Sequence, residues 1–195
     1  MIIFFGLGNP GNRYALTRHN IGFMFCDMMA DRFKTQFRVS DRLECEYASL
    51  NSGEDKILLI KPLTYMNNSG RCVRKVIDYY KASITDIIVI ADDIYIEYEV
   101  IRIRNEGGDG GHNGLKSITG SLGVNFYKRI RAGVGPLPDK IPMEHFVLAE
   151  FSQTEKKALE DFILRICEAA ECIINDGVTA AMNRFNKKNK KNIDK

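Results

Sequence analysis

The stretch IIFFGLGNPGNRYALTRHN, Ile2 to Asn20, decides how this chain is read. Ile2 to Phe5 is a strand-like apolar run, and behind it Gly6 to Asn20 gathers three glycines, a proline, three asparagines and His19, one of only three histidines. A loop at the carboxyl end of a strand is where α/β proteins place their chemistry. Gly6, Gly8 and Gly11 also satisfy G-x-G-x-x-G, so the segment supports two incompatible readings. It is either a dinucleotide-binding turn or a hydrolytic site that uses Asn9, Tyr14 and His19.

Outward from this loop, short apolar runs alternate with helical periods, which predicts an α/β sheet. Ile21, Met24, Phe25, Met28, Met29 and Phe33 recur at three- and four-residue steps and mark a core-facing helix over 21–33. Strand-like stretches follow at 44–50 and 56–61, and Ser69 to Tyr80 places Val73, Val76, Ile77 and Tyr80 on one helical face. Ile87 to Ile90 suits a strand buried on both faces, ending at Ala91-Asp92-Asp93. Val100 to Arg104 alternates, with its arginines on one wet face. A glycine cluster, Gly107 to Gly114, opens a short helix from Leu115 and leads to a last strand at 129–134. After Pro136, Pro138 and Pro142, Thr154 to Ile174 forms a long amphipathic helix. No repeat or second core is visible, so residues 1–186 read as a single domain.

Composition narrows the function classes. The chain has 195 residues, 45% hydrophobic and 27% charged, which is enough to bury a real core. The first residues lack a basic region and are interrupted by glycine, so neither a signal peptide nor a membrane span fits, and the expected location is the cytoplasm. Cys26, Cys45, Cys72, Cys167 and Cys172 form no C-x-x-C and read as reduced core thiols. His19, His112 and His145 show no metal-ligand spacing, so no metal is expected. Net charge is +3, but residues 187–195 hold five lysines and one aspartate, or +4, leaving −1 for the other 186 residues. That tail reads as a solvated, frayed end, with nonspecific attraction for phosphates as the alternative, and any nucleic-acid site must come from local clustering.

The nucleotide reading needs its last glycine to lead directly into a helix, with a carboxylate about twenty residues on at a strand end. Here Pro10 interrupts the motif and nine residues, Asn12 to Asn20, precede the helix. The hydrolytic reading needs a general base, a group to orient it and donors for a developing oxyanion. Asp92 stands at the end of a buried strand, where a carboxylate can fix the tautomer of His19. Asn67 precedes one helix and Asn113 another. Each also has a plain reading, Asn67 and Asn113 as helix caps and Asp92 as a turn former.

G-L-G-N-P-G-x-x-Y-x-x-T-R-H-N-x-G, Gly6 to Gly22, resembles the N-terminal signature of bacterial peptidyl-tRNA hydrolases. Lys61 to Gly70 (KPLTYMNNSG) resembles the second motif of that family, Gly111 to Lys116 (GHNGLK) the third and Arg129 to Gly135 (RIRAGVG) the fourth. With Phe146-Val147-Leu148 and Phe151-Ser152 they span almost the whole chain. The resemblance implies a monomeric α/β fold, a twisted, mostly parallel mixed β-sheet flanked by helices. It also implies hydrolysis of the ester between peptide and tRNA, which recycles tRNA from aborted translation.

Carried over by residue, the resemblance makes His19 the base that activates water and Asp92 the carboxylate that orients it. Asn9 would help distinguish N-blocked from free aminoacyl groups. Tyr14, Tyr65, Asn67 and Asn113 would contact substrate, and Arg104 with Arg131 would clamp the tRNA 5′ phosphate. An activated ester needs only a positioned base, water and oxyanion donors, so no cofactor is expected. Arg102, Arg104, Lys116, Lys128, Arg129 and Arg131 supply the local basic cluster that total charge does not. The chain departs from the family at Ala91-Asp92-Asp93 and at Asp109. The alternative is a noncatalytic RNA-binding relative of the same fold, with a nucleotide-dependent oxidoreductase as the third reading.

Overall fold

Ile2–Gly6 forms β1 at the centre of a seven-stranded sheet, all but its first residue buried. The computed structural model describes residues 1–53 and 55–186; the tail expected at 187–195 lies outside the described residues. The other strands are β2 (Arg38–Ser40), β3 (Cys45–Ser52), β4 (Asp55–Pro62), β5 (Ile87–Glu97), β6 (Ile101–Arg104) and β7 (Lys128–Gly135). Their order is β2-β3-β4-β1-β5-β7-β6. The four central strands are mutually parallel, and β3 and β6 are reversed. Antiparallel pairing of β2 with β3 restores the common direction at that edge. The sheet is therefore mixed, and five of its seven strands run the same way, as expected.

Helices cover both faces. On one side α1 (Ile21–Arg32), α4 (Met143–Leu148) and α5 (Gln153–Phe185) bury a core with Phe4, Ile88, Ile90 and Ile130. On the other, α2 (Ser69–Tyr80) and α3 (Asn113–Leu122) cover Ile3, Phe5, Leu58 and Val89. The residues of β1 alternate between these cores, the period-two signature of a strand buried on both faces. All five cysteines are buried and unpaired.

Two expected boundaries move. The strand from Ile87 does not stop at Asp92-Asp93 but runs to Glu97, with a shift in its pairing to β7 between Asp93 and Glu97. Both aspartates have partners, described below, so the backbone continues through them. The last helix runs eleven residues past Ile174, crossing a break at Gly177, whose φ of +82° favours glycine. Beyond the break, Ala181 and Phe185 are again buried. The six-residue α4, directly after Pro142, carries too short a period to be read from sequence.

Two glycines of the opening motif set how closely α1 approaches β1. A Cβ on Gly22 would lie 2.3 Å from Leu7 N and 2.7 Å from Ile90 O, and one on Gly6 would lie 2.1 Å from Gly22 O. These are backbone atoms of packed elements, with no side chain to swing away. Gly22→Ala is expected to destabilise the protein by about 3 kcal/mol, the upper end of what overpacking a core costs, measured by denaturant unfolding. A loss below about 1 kcal/mol would show that α1 can shift freely on the sheet.

Candidate active site

The end of β1 creates the site. Gly6 pairs with Ile90 of β5, and Leu7 N donates to Ile90 O at 2.9 Å; from there the chain turns away. Its two neighbours β4 and β5 lie on opposite sides, so a crevice opens where β1 stops, as at other topological switch points. Asp92 and Asp93 lie just past this point on β5. The segment Gly11 to Asn20 crosses it as two short 3₁₀ turns, Asn12–Tyr14 and Arg18–Asn20, before α1 begins. A dinucleotide turn would enter the helix from its last glycine, so this connection removes the oxidoreductase reading.

His19 and Asp92 meet. His19 Nδ1 lies 2.7 Å from Asp92 Oδ1, and both side chains are nearly buried. The same oxygen lies 2.9 Å from His112 Nε2. The tautomer of His112 follows from its other nitrogen: Nδ1 accepts from Gly114 N at 3.1 Å and Leu115 N at 3.3 Å, so Nε2 carries the proton and donates. His112 is thus the N-cap of α3, the capping role considered for Asn113. It also bonds the central carboxylate. His19 donates from Nδ1, leaving Nε2 with a lone pair on the cavity side.

His19, Asp92 and His112 could hold a metal by proximity, their donor atoms lying within 4.8 Å of one another. The tautomer of His112 argues otherwise, because both its nitrogens are committed and neither keeps a lone pair for an ion.

The charges are mutually dependent. Burial pushes His19 down, but the Asp92 carboxylate, through its charge and hydrogen bond, outweighs burial and holds the imidazole above its ordinary 6.5. Asp92 is driven far below the usual carboxylate range, against its own burial, by His19 and His112. The carboxylate therefore stays ionised at any pH at which the protein works.

A solvent-open cavity borders this group. Asn113, the first residue of α3, Gly110 and Gly111 form one wall, and Met143, Glu144 and Val147 of α4 another. The α4 wall is tied to the base by Arg18. Its Nη1 donates to Glu150 O at 2.7 Å, its Nη2 meets Glu155 Oε2 at 2.7 Å, and its guanidinium lies 4.3 Å from the Phe146 ring centroid. Nothing in sequence spacing indicated this link, since Arg18 and Glu155 lie 137 residues apart.

Asn9 holds the opening loop. Its N–H donates to Asn20 Oδ1 at 2.9 Å, its carbonyl accepts from Asn20 Nδ2 at 3.0 Å, and its Oδ1 accepts from Met66 N at 2.9 Å. The last bond fixes the amide orientation and leaves Nδ2 for a ligand. Asn67 is exposed on a 3₁₀ turn, Met66–Asn68, beside the half-exposed Tyr65; Tyr14 is partly buried on the first turn. Asn9, Tyr14, Tyr65 and Asn67 do not line the cavity around His19, whereas Asn113 does. Neither Asn67 nor Asn68 caps α2 through its side chain.

Arg131 and Asp93 line this cavity and also a second groove, shared with Arg102, Arg104 and Arg129. Arg131 Nε lies 2.7 Å from Asp93 Oδ2, an ion pair whose N–H points off the line of contact. Antiparallel pairing sets Arg102 opposite Arg131 and Arg104 opposite Arg129 on one sheet face. One member of the expected basic cluster is used internally. Arg129 is 1% exposed and donates to the carbonyls of Gly107, Gly108 and Asn125, fastening the glycine loop. Asp109 Oδ1 accepts from Gly111 N at 2.8 Å and closes the turn before His112.

The family model described as peptidyl-tRNA hydrolase matches residues 3–193. A peptidyl-tRNA hydrolase of Lachnospira eligens is 43% identical, the alignment covering 95% of this chain and 100% of the relative. That of Kosmotoga olearia is 45% identical over 95% of this chain and 97% of its own. The crystal structure of peptidyl-tRNA hydrolase from Acinetobacter baumannii superposes with a TM-score of 0.88 at 31% identity, covering 95% and 94% of the two chains. Among the described residues, no helix is long and apolar enough to cross a membrane.

Proposed function

Because this chain belongs to the peptidyl-tRNA hydrolase family and hydrolyses peptidyl-tRNA, we propose how its residues divide that reaction. His19 Nε2 takes a proton from water as the water attacks the ester carbonyl, while Asp92 fixes the tautomer and stabilises the imidazolium that forms. His112 donates a second hydrogen bond to Asp92, holding the carboxylate in one orientation. The carboxamide of Asn113 lies on the cavity wall, where an oxyanion donor is needed. The tetrahedral intermediate then collapses, and the ribose oxygen leaves with the proton from His19.

The observation that carries this reading is the single carboxylate oxygen shared by two histidines whose remaining nitrogens have different fates. One is consumed by the backbone of α3, the other faces the cavity. The noncatalytic alternative gives no reason for so costly an arrangement, since a buried charge must be fully partnered to be tolerated.

Asn9 serves the recognition of an N-blocked substrate. Its free Nδ2 can donate to the carbonyl that blocks the peptide nitrogen, an acceptor absent from an unblocked aminoacyl group. Tyr14, Tyr65 and Asn67 would contact substrate outside the cavity around His19. Arg104 and Arg131 bind the terminal 5′ phosphate of the tRNA; the groove they share opens onto that cavity through Arg131. The enzyme would work as a monomer in the cytoplasm.

The test compares N-acetylaminoacyl-tRNA with unblocked aminoacyl-tRNA in the presence of a chelator. Fast cleavage of the blocked ester alone is expected, with the chelator without effect. Equal cleavage of both would remove the role given to Asn9, and inhibition by chelator would return His19, Asp92 and His112 to consideration as metal ligands.

A further inference from the structure

The turn that carries His19 and the helix that faces it across the cavity are joined by one arginine. His19 lies on the Arg18–Asn20 turn, and Met143, Glu144 and Val147 lie on α4. Phe146, Val147 and Phe151 pack into the core. Among the described residues, the hydrogen bonds that residues 136–151 make to the rest of the fold, α5 apart, all go to Thr17 or Arg18. Thr17 pairs with Glu150 as an isolated antiparallel bridge, and Arg18 N donates to Ala149 O at 3.1 Å. The Arg18 guanidinium adds its bonds to Glu150 O and Glu155 Oε2 while lying over the Phe146 ring. Glu155 Oε2 also accepts from Ser152 N at 2.6 Å, so the oxygen that holds Arg18 helps to cap α5. One side chain thus fastens the turn after α4 and the start of α5 to the residue next to the base. Its buried Nε has no partner among the described residues, a cost that argues for a role beyond stability.

We infer that Arg18 is a positioning residue for the reaction: it fixes the distance between His19 and the α4 wall, so that a small acyl group is held against the base as closely as a bulky one. The inference rests on the reading of His19 as the base and of this cavity as the seat of the acyl group. Size matters for a geometric reason. A bulky acyl side chain fills the space between the two walls and is located by contact with them. A small one makes no such contact, and its ester carbonyl is placed only if the walls keep their spacing. A misplacement of about 1 Å costs up to about 10²-fold in rate. Apolar burial is non-directional and lets packed surfaces slide, whereas charge-assisted hydrogen bonds to fixed oxygens select one arrangement.

The experiment measures kcat/KM for the N-acetylglycyl and N-acetylphenylalanyl esters of the same tRNA in the wild type, Arg18→Met, Glu155→Gln and His19→Ala. It is run at a temperature at which thermal unfolding shows each protein folded. Arg18→Met keeps an unbranched side chain against Phe146 and loses the guanidinium bonds. It is expected to lose about tenfold or more on the glycyl ester and less than about threefold on the phenylalanyl ester. The acid limb of its pH profile stays in place, because Arg18 bonds neither His19 nor Asp92. Glu155→Gln keeps the arginine and its carbonyl partners, and is expected to show a smaller loss with the same preference.

Equal losses on the two esters would reduce Arg18 to a stabilising residue and overturn the inference, as would wild-type rates on both. A displaced acid limb would overturn it as well, by showing that Arg18 acts on the charge of the base. Should Arg18→Met not fold, Glu155→Gln decides alone: a preference shifted toward the phenylalanyl ester supports the inference and an unshifted one ends it. His19→Ala tests the underlying reading separately, since activity retained there on both esters would remove the base assignment whatever Arg18→Met does.

Discussion

His19→Ala lowers kcat by about 10³-fold, close to 4 kcal/mol of transition-state stabilisation, while the affinity for tRNA changes less than about threefold. The separation follows from the geometry. His19 is nearly buried and its imidazole bonds Asp92, whereas the phosphate contacts proposed above belong to arginines on β6 and β7. Removing the ring deletes the base proposed for this site, and His112 cannot replace it because its Nδ1 caps α3. Single-turnover hydrolysis of N-acetylaminoacyl-tRNA together with equilibrium binding of deacylated tRNA measures both quantities. A loss smaller than about tenfold in the chemical step would mean that water is activated elsewhere.

Asp92→Asn changes the rate and its pH dependence together. In the wild type, activity requires neutral His19, so kcat/KM rises with pH through the pKa of the imidazole, and this acid limb lies above the ordinary 6.5 because Asp92 raises it. In the variant the charge of Asp92 is gone and burial, the largest single influence, remains; it favours the neutral ring and moves the limb below 6.5. Activity should still fall by on the order of 10²–10⁴-fold. An asparagine amide can donate to Nδ1 and trap the tautomer with its proton on Nε2, and the imidazolium loses its counter-charge. A rate that falls while the limb shifts to lower pH distinguishes this from simple misfolding. A limb that moves upward, or stays fixed, would break the link between Asp92 and the base. His19→Ala with Asp92→Asn should cost about as much as His19→Ala alone, since the two act as a unit.

Much of this site could be read from sequence for identifiable reasons. The apolar run before Gly6 had to be a strand, and the polar loop after it had to lie at a sheet end. The motifs brought His19 and Asp92 into one hypothesis, and the structure sets them 2.7 Å apart. The extent of β5 was misjudged because two adjacent aspartates ordinarily end a strand. Here each is held by a residue remote in sequence, Asp92 by His19 and His112 and Asp93 by Arg131. Arg129 and Arg131 look equivalent in a strand, yet the first is buried under three loop carbonyls, while the second pairs with Asp93 and lines both cavities.

The sequence alone determined the α/β class, the place of the chemistry at the end of β1 and the residue types able to perform it. These follow from local patterns of apolarity and from glycines that no side chain could replace, since a Cβ on Gly6 would lie 2.1 Å from Gly22 O. Tertiary structure alone decided that His19 keeps a free ring nitrogen while His112 does not, that Arg129 is consumed by loop carbonyls, and that Arg18 ties the cavity wall to the loop bearing the base. Each of these involves at least one hydrogen bond between residues 20 to 137 positions apart. The periodicities of a sequence record which face of an element is buried, but a hydrogen bond depends on where individual donors and acceptors finally meet.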